Sequence, residues 1–103
     1  MENDFNVKRE GSVLTVVLGE ELTRINAPAL MDKMTSYRDK GVEKVVFDAT
    51  NLTYISSSGV RVVIYCKKYM SDNTEIVFLN CSDKILDVLD IVGIRPFITF
   101  EKR

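Results

Sequence analysis

Histidine is absent from the 103-residue chain. Its absence removes Ser-His catalysis and every metal site built on imidazole. Cysteine is scarce. Cys66 and Cys81 form neither a CxxC pair nor a dense framework, and they read as two reduced, partly buried small hydrophobes. A disulfide or a metal site is the minor reading. No apolar run approaches the ~20 residues of a membrane-spanning helix, which argues against direct membrane insertion. The start, MENDFNVKRE, is polar and lacks the apolar segment of a secretory signal, so a cytoplasmic location is expected. Charge of one sign is lacking too. Fourteen basic residues meet fifteen acidic ones, for a net charge of −1. That balance leaves no basic face for nucleic acid and no polybasic handle for anionic lipid. Neither a Gly-rich phosphate loop ending in Lys-Ser/Thr nor a dinucleotide fingerprint occurs. The expectation is a chain without cofactor, metal or catalysis.

What is present fits one domain spanning residues 1–103. The apolar share of 46% is ordinary for a globular protein. Phe5, Val7 and Arg9 alternate with polar neighbours, as in a half-buried strand. Glu10-Gly11 supplies a turn, and Val13 to Leu18 is a β-branched run that predicts an antiparallel second strand. Gly19 to Thr23 leaves the sheet. Asn26 is placed to cap a helix, with Pro28 in its first turn and Leu30, Met31, Met34 and Tyr37 on one face. Arg38 and Lys40 suit the helix's negative end, and Gly41 the left-handed residue beyond it.

Lys44 to Asp48 predicts a third strand, and Val60 to about Met70 a second helix despite its β-branched residues. Ile76 to Leu79 is a fourth strand. Ser82 caps a third helix with Ile85, Leu86, Leu89 and Val92 on one face, ended by Gly93. Pro96 opens a last strand, Phe97 to Phe100. The order β-β-α-β-α-β-α-β implies an α/β fold with a small, mostly parallel mixed sheet.

The informative stretch is Asp48 to Arg61, DATNLTYISSSGVR. Three serines and Gly59 lie between a strand end and a helix start. Loops beyond strand ends form the usual functional edge of such sheets, and a helix start suits an anion or phosphate. The plain alternative is that a serine only caps the helix and Gly59 only permits close packing. Leu52, Tyr54 and Ile55 read as inward anchors. Asp48 reads as the brace of an Asx turn rather than a base.

The run Asp48 to Val60 resembles the signature of STAS domains. Glu21-Leu22-Thr23 and Asn26-Ala27-Pro28-Ala29-Leu30 are similar to the segment before that family's first helix, and Asn80 to Ile98 to its final helix. The resemblance spans essentially the whole chain. It departs at Ser56, where the family carries Asp, and at Thr23, where many members carry Asp.

The resemblance implies an anti-sigma-factor antagonist that works by partner switching. Its partners would be an anti-sigma factor that is also a serine kinase, and a PP2C-type phosphatase that resets the switch. Carried onto this chain, Ser57 is the phosphorylated serine and Ser56 a secondary candidate. Helical spacing puts Arg61, Tyr65 and Lys68 on one face of the second helix, and with Thr23, Asn26, Ser56, Ser57, Ser58 and Gly59 they read as a partner-binding patch; the plain alternative is a solvated face. A monomer is expected. The alternative from the same fold is an accessory subunit of a membrane lipid transporter or a sensory complex, in which the serine loop only docks.

Overall fold

The computed structural model describes residues 5–71 and 73–103. The four residues that open the polar N-terminus lie outside them. Strands β1 (Phe5–Glu10) and β2 (Val13–Leu18) form an antiparallel hairpin. Gly11 sits at its turn with φ +62°, a conformation that costs glycine little. A short strand, β3 (Glu21–Leu22), precedes helix α1 (Ala27–Thr35), which carries the chain to β4 (Lys44–Asp48). A second short strand, β5 (Tyr54–Ile55), precedes helix α2 (Ser57–Tyr69). That helix leads to β6 (Glu75–Leu79), and α3 (Asp83–Ile91) to β7 (Ile98–Glu101). The main sheet has the order β1-β2-β4-β6-β7, with every pairing after the hairpin parallel. The short strands β3 and β5 form a separate parallel pair.

Alternation along the strands decides the layers. Leu14, Val16 and Leu18 share a face with Val45, Phe47, Ile76, Phe78 and Ile98. They pack against Leu30 and Met34 of α1, Val60 and Val63 of α2, and Ile85 and Leu89 of α3. All three helices therefore cover one face. Among the described residues the opposite face carries a small apolar cluster of Val46, Val77 and Leu79.

Most predicted elements are present, and the exceptions have local causes. α1 stops at Thr35, so Tyr37, Arg38 and Lys40 lie in the turns beyond it and cannot serve its dipole. Asp39 and Gly41 both take positive φ there. α2 starts at Ser57, three residues before the expected point. Its β-branched residues are tolerated because Val60, Val62 and Val63 are buried. Tertiary burial outweighs their modest helix penalty. Residues Arg95–Phe97 form a 3₁₀ turn, so the last strand begins at Ile98.

Parallel register aligns the C-terminal ends of β4, β6 and β7 along one rim. Both described chain ends reach the same rim. Phe5 pairs with Leu18, and Arg103 N–H donates to Asn80 Oδ1 at 2.9 Å.

Candidate functional site

The rim is braced first at Asp48. Its Oδ1 accepts from Thr50 N–H at 3.1 Å and from Thr50 Oγ1 at 2.6 Å, the Asx turn expected of it. Asn80 Nδ2 donates to Thr50 Oγ1 at 2.8 Å and ties in the neighbouring loop. The chain then crosses to the small second sheet. Leu22 pairs with Ile55 and both are buried, while Glu21 pairs with Tyr54 and both point outward. Two-residue strands are too short to hold by backbone bonds alone. Burial of Leu22 and Ile55, worth about 1.5–3 kcal/mol each, anchors them. Thr53 N–H and Ser56 N–H extend the pairing to Glu20 O at 2.8 Å and Leu22 O at 2.9 Å.

This zipper sets the N-terminus of α2 against the 23–26 loop. Gly59 is the contact point. A Cβ built there would lie 2.8 Å from Leu22 O, 2.8 Å from Ile55 Cγ1 and 2.9 Å from Leu22 Cγ. Only glycine lets the helix approach so closely. Gly59 is buried and offers a partner nothing, so its role is packing, not contact.

Ser56 is the N-cap of α2. Its Oγ faces Gly59 N–H at 3.5 Å, a long bond. Ser57, the first helical residue, is exposed, and among the described residues nothing hydrogen-bonds its hydroxyl. Ser58 is half-buried. No carboxylate stands in the first turn of α2, so the positive end of its dipole faces outward uncompensated.

Asn26 does not cap α1, contrary to the expectation from its place before the helix. Its Oδ1 accepts from Thr23 N–H at 2.8 Å, and its Nδ2 donates to Glu21 O at 2.9 Å. The amide serves the loop behind it because its backbone is already near-helical, at φ −109° and ψ −13°. Thr23 Oγ1 accepts from Ile25 N–H at 3.2 Å, and Thr23 O accepts from Ala27 N–H at 2.7 Å. Thr23 and Asn26 thus form a folded hook beside the serines.

Hook and helix start enclose a groove of about 340 Å³ lined by Glu21, Thr23, Arg24, Ile25, Tyr54 and Ser56 to Ser58. Ile25 is 79% exposed and Tyr54 is 49% exposed. Tyr54 is therefore an outward residue and not the inward anchor expected from sequence. Strand alternation with Ile55 explains the reversal. Neither Ile25 nor Tyr54 stands out in the sequence as a partner residue. The alternation Glu21-Leu22 against Tyr54-Ile55 is the available signal, too short to register as strand.

The α2 residues divide. Arg61 is exposed one turn beyond Ser57. Tyr65 is half-buried, stacks on Tyr69 at 5.5 Å, and has a buried hydroxyl without a hydrogen-bond partner among the described residues. It belongs to the packing rather than to a free patch. Lys68 lies about 16 Å along the helix from Ser57 and lines a different groove. Cys66 is fully buried and its thiol is pushed up to about 12 by desolvation. Cys81, half-buried, is pushed up to about 11 by burial and then by Asp83. Among the described residues no helix is long and apolar enough to cross a membrane.

Comparison with known proteins agrees with this architecture. The model of the STAS domain matches residues 4–103. BtrV of Bordetella bronchiseptica, which carries the name of putative anti-sigma factor antagonist, is 31% identical over 87 residues. The match covers 84% of this chain and 74% of that protein. Among solved structures, the unphosphorylated form of the anti-sigma factor antagonist SpoIIAA superposes with TM-score 0.74 at 19% identity, covering 84% of this chain and 82% of that one. The phosphorylated form of Bacillus SpoIIAA gives 0.73 at 18% identity, covering 93% and 89%. At these identities the likeness to SpoIIAA is one of fold.

Proposed function

The chain belongs to the STAS domain family, and from that premise we propose that it is an anti-sigma-factor antagonist switched at Ser57. In this reading it is a cytoplasmic binding protein, not an enzyme. Unphosphorylated, it docks on an anti-sigma factor through the groove between the Thr23–Asn26 hook and the start of α2. Ile25 and Tyr54 are the apolar anchors, and Arg61 flanks them. The anti-sigma factor, acting as a serine kinase, phosphorylates Ser57, and the pair separates. A PP2C-type phosphatase resets the switch.

The observation that carries the proposal is the position of Ser57. Its hydroxyl is exposed at the first residue of a helix, inside the groove, with no partner among the described residues. Ser56 is the poorer acceptor because its oxygen faces Gly59 N–H as the cap. A phosphate adds roughly −1.5 to −2 charges. At a helix N-terminus without first-turn carboxylates that charge is locally favoured, so the domain stays folded. The cost falls on the complex, which must desolvate the dianion. A change of ~3–4 kcal/mol shifts the dissociation constant by two to three powers of ten.

The test pairs the protein with a candidate anti-sigma kinase, adds ATP and maps the modified residue by mass spectrometry. Incorporation at Ser57, abolished by Ser57→Ala, is the expected result. Incorporation that survives Ser57→Ala counts against the switch. Thr23 and Ser56, in place of family Asp residues, favour one second reading, a docking module of a lipid transporter or sensory complex. There the groove binds its partner equally whether residue 57 is Ser or Asp.

A further inference from the structure

A second surface lies away from the serines. α2 and the end of α3 enclose a groove of about 400 Å³ lined by Ile64, Lys67, Lys68, Val92, Ile94 and Phe97. Its floor is apolar and partly open. Phe97 is 59% exposed and Val92 48% exposed. Ile91, the residue before Val92, is 85% exposed. Three of the seven large apolar side chains exposed among the described residues therefore fall within seven positions of the chain. Folding alone gives no reason to leave them in water.

The charged side chains that line this floor share one sign. Lys67 and Lys68 are the charged residues lining it. Lys67 Nζ donates to Thr74 O at 3.1 Å, and among the described residues neither lysine is ion-paired with a carboxylate. Arg95, which opens the 3₁₀ turn after Ile94, adds a third cation, loosely paired with Asp90 at 3.9 Å.

We propose that this groove is a second docking surface, which takes an amphipathic helix of a protein partner whose apolar stripe is flanked by carboxylates. The apolar floor fits a helix stripe, as in other helix-in-groove recognition, and the lysines fit its acidic flank. Anionic membrane is the weaker occupant. Three cations fall short of the four to eight of a lipid-binding cluster, and a flat bilayer would also meet Asp83, Asp87 and Asp90 of the adjoining α3, which do not line the groove. A second copy is weaker too. The apolar stripes of α1, α2 and α3 are already buried through Leu30, Met34, Val60, Val63, Ile85 and Leu89, so the described helices have no free stripe to offer. This surface does not depend on Ser57.

The test uses the full 103-residue chain and a fluorescein-labelled amphipathic peptide of roughly 14 residues, four helical turns, with a leucine stripe and glutamate flanks. A second peptide keeps the stripe and replaces glutamate by lysine. Anisotropy should show the acidic peptide binding at least tenfold more tightly than the basic one, and more weakly at high salt. Phe97→Ser should weaken it at least tenfold. Lys67→Glu with Lys68→Glu should reverse the preference, and Ser57→Asp should change nothing. Amide shifts in the NMR spectrum should centre on Ile64, Lys68, Val92 and Phe97, and circular dichroism confirms that each variant is folded. No binding of the acidic peptide, equal binding of both peptides, or indifference to Phe97→Ser in a folded variant overturns the proposal. So does binding only to vesicles of anionic lipid, or self-association through the groove in sedimentation.

Discussion

Gly59→Ala adds one methyl group at the tightest junction in the molecule. The new carbon would stand 2.8 Å from Leu22 O and Ile55 Cγ1 and 2.9 Å from Leu22 Cγ, where ordinary contact begins at 3.4 Å. Leu22 O is backbone and already accepts from Ser56 N–H at 2.9 Å, so it has little freedom to retreat. Overpacking of this kind costs typically 1–3 kcal/mol. Alanine regains about 1 kcal/mol of helix propensity over glycine. The nearest atom is a carbonyl held in a ladder, so the clash takes the upper part of that range, about 2–3 kcal/mol, and outweighs the gain. The net expectation is a loss of about 1–2 kcal/mol, or roughly 4–15 °C in Tm for a domain of this size. Urea unfolding followed by circular dichroism measures it. Ser58→Ala, the neighbouring position, is the control and should cost less than about 0.5 kcal/mol. Leu22→Ala carries its own burial cost, so in a double-mutant cycle its favourable coupling with Gly59→Ala should equal only the side-chain part of the clash. If Gly59→Ala is as stable as the parent, the close approach of α2 to the small sheet is not what fixes the groove.

Asn26→Ala should cost about 1–3 kcal/mol, because Thr23 N–H and Glu21 O both lose a partner in the hook; chemical denaturation reads it, and hydrogen exchange should quicken at Thr23. Ser56→Asp should raise stability by about 0.3–1 kcal/mol through charge at the helix start, an effect that fades in high salt and is checked by Tm at two ionic strengths. Cys66 supplies a pH test. Its folded pKa lies above the unfolded one, so its contribution is complete below about pH 9 and is lost as pH rises toward 12. The stability difference between the parent and Cys66→Ala should therefore shrink by up to about 1.4 kcal/mol per pH unit above pH 9 in urea titrations. Ile25→Ser and Tyr54→Ala, both outward, should leave Tm within about 2 °C yet weaken anti-sigma binding at least tenfold in titration calorimetry.

The main sheet and its helices are legible in the sequence because their signals are periodic. Val13 to Leu18, Lys44 to Asp48 and Ile76 to Leu79 alternate or run apolar over several residues, and Ser82 and Gly93 punctuate α3 as their chemistry requires. Ser82 Oγ accepts from Ile85 N–H at 3.3 Å, and Gly93 takes φ +82°. The two-residue strands β3 and β5 are not legible, since two residues carry no period. From that one gap follow the inward placement of Tyr54, the omission of Ile25 and the treatment of Gly59 as a contact. Asn26 misleads for a different reason. An asparagine before a helix can bond forward to the first turn or backward to the loop, and local sequence does not choose between them. The serines of the loop are visible as a group, but only the fold separates Ser56 as cap from Ser57 as exposed hydroxyl.

Phe5 and Arg103 end on the same rim as the hook and the serines, one through its pairing with Leu18, the other through Asn80. A fluorescent reporter or affinity tag joined directly to Phe5 or to Arg103 would therefore enter at the rim that carries the groove it is meant to probe. The hairpin turn at Gly11 sits at the far end of β2, where Val13 pairs with the first residue of β4. A label carried in the turn at Gly11 would stand on the opposite side and leave the rim clear.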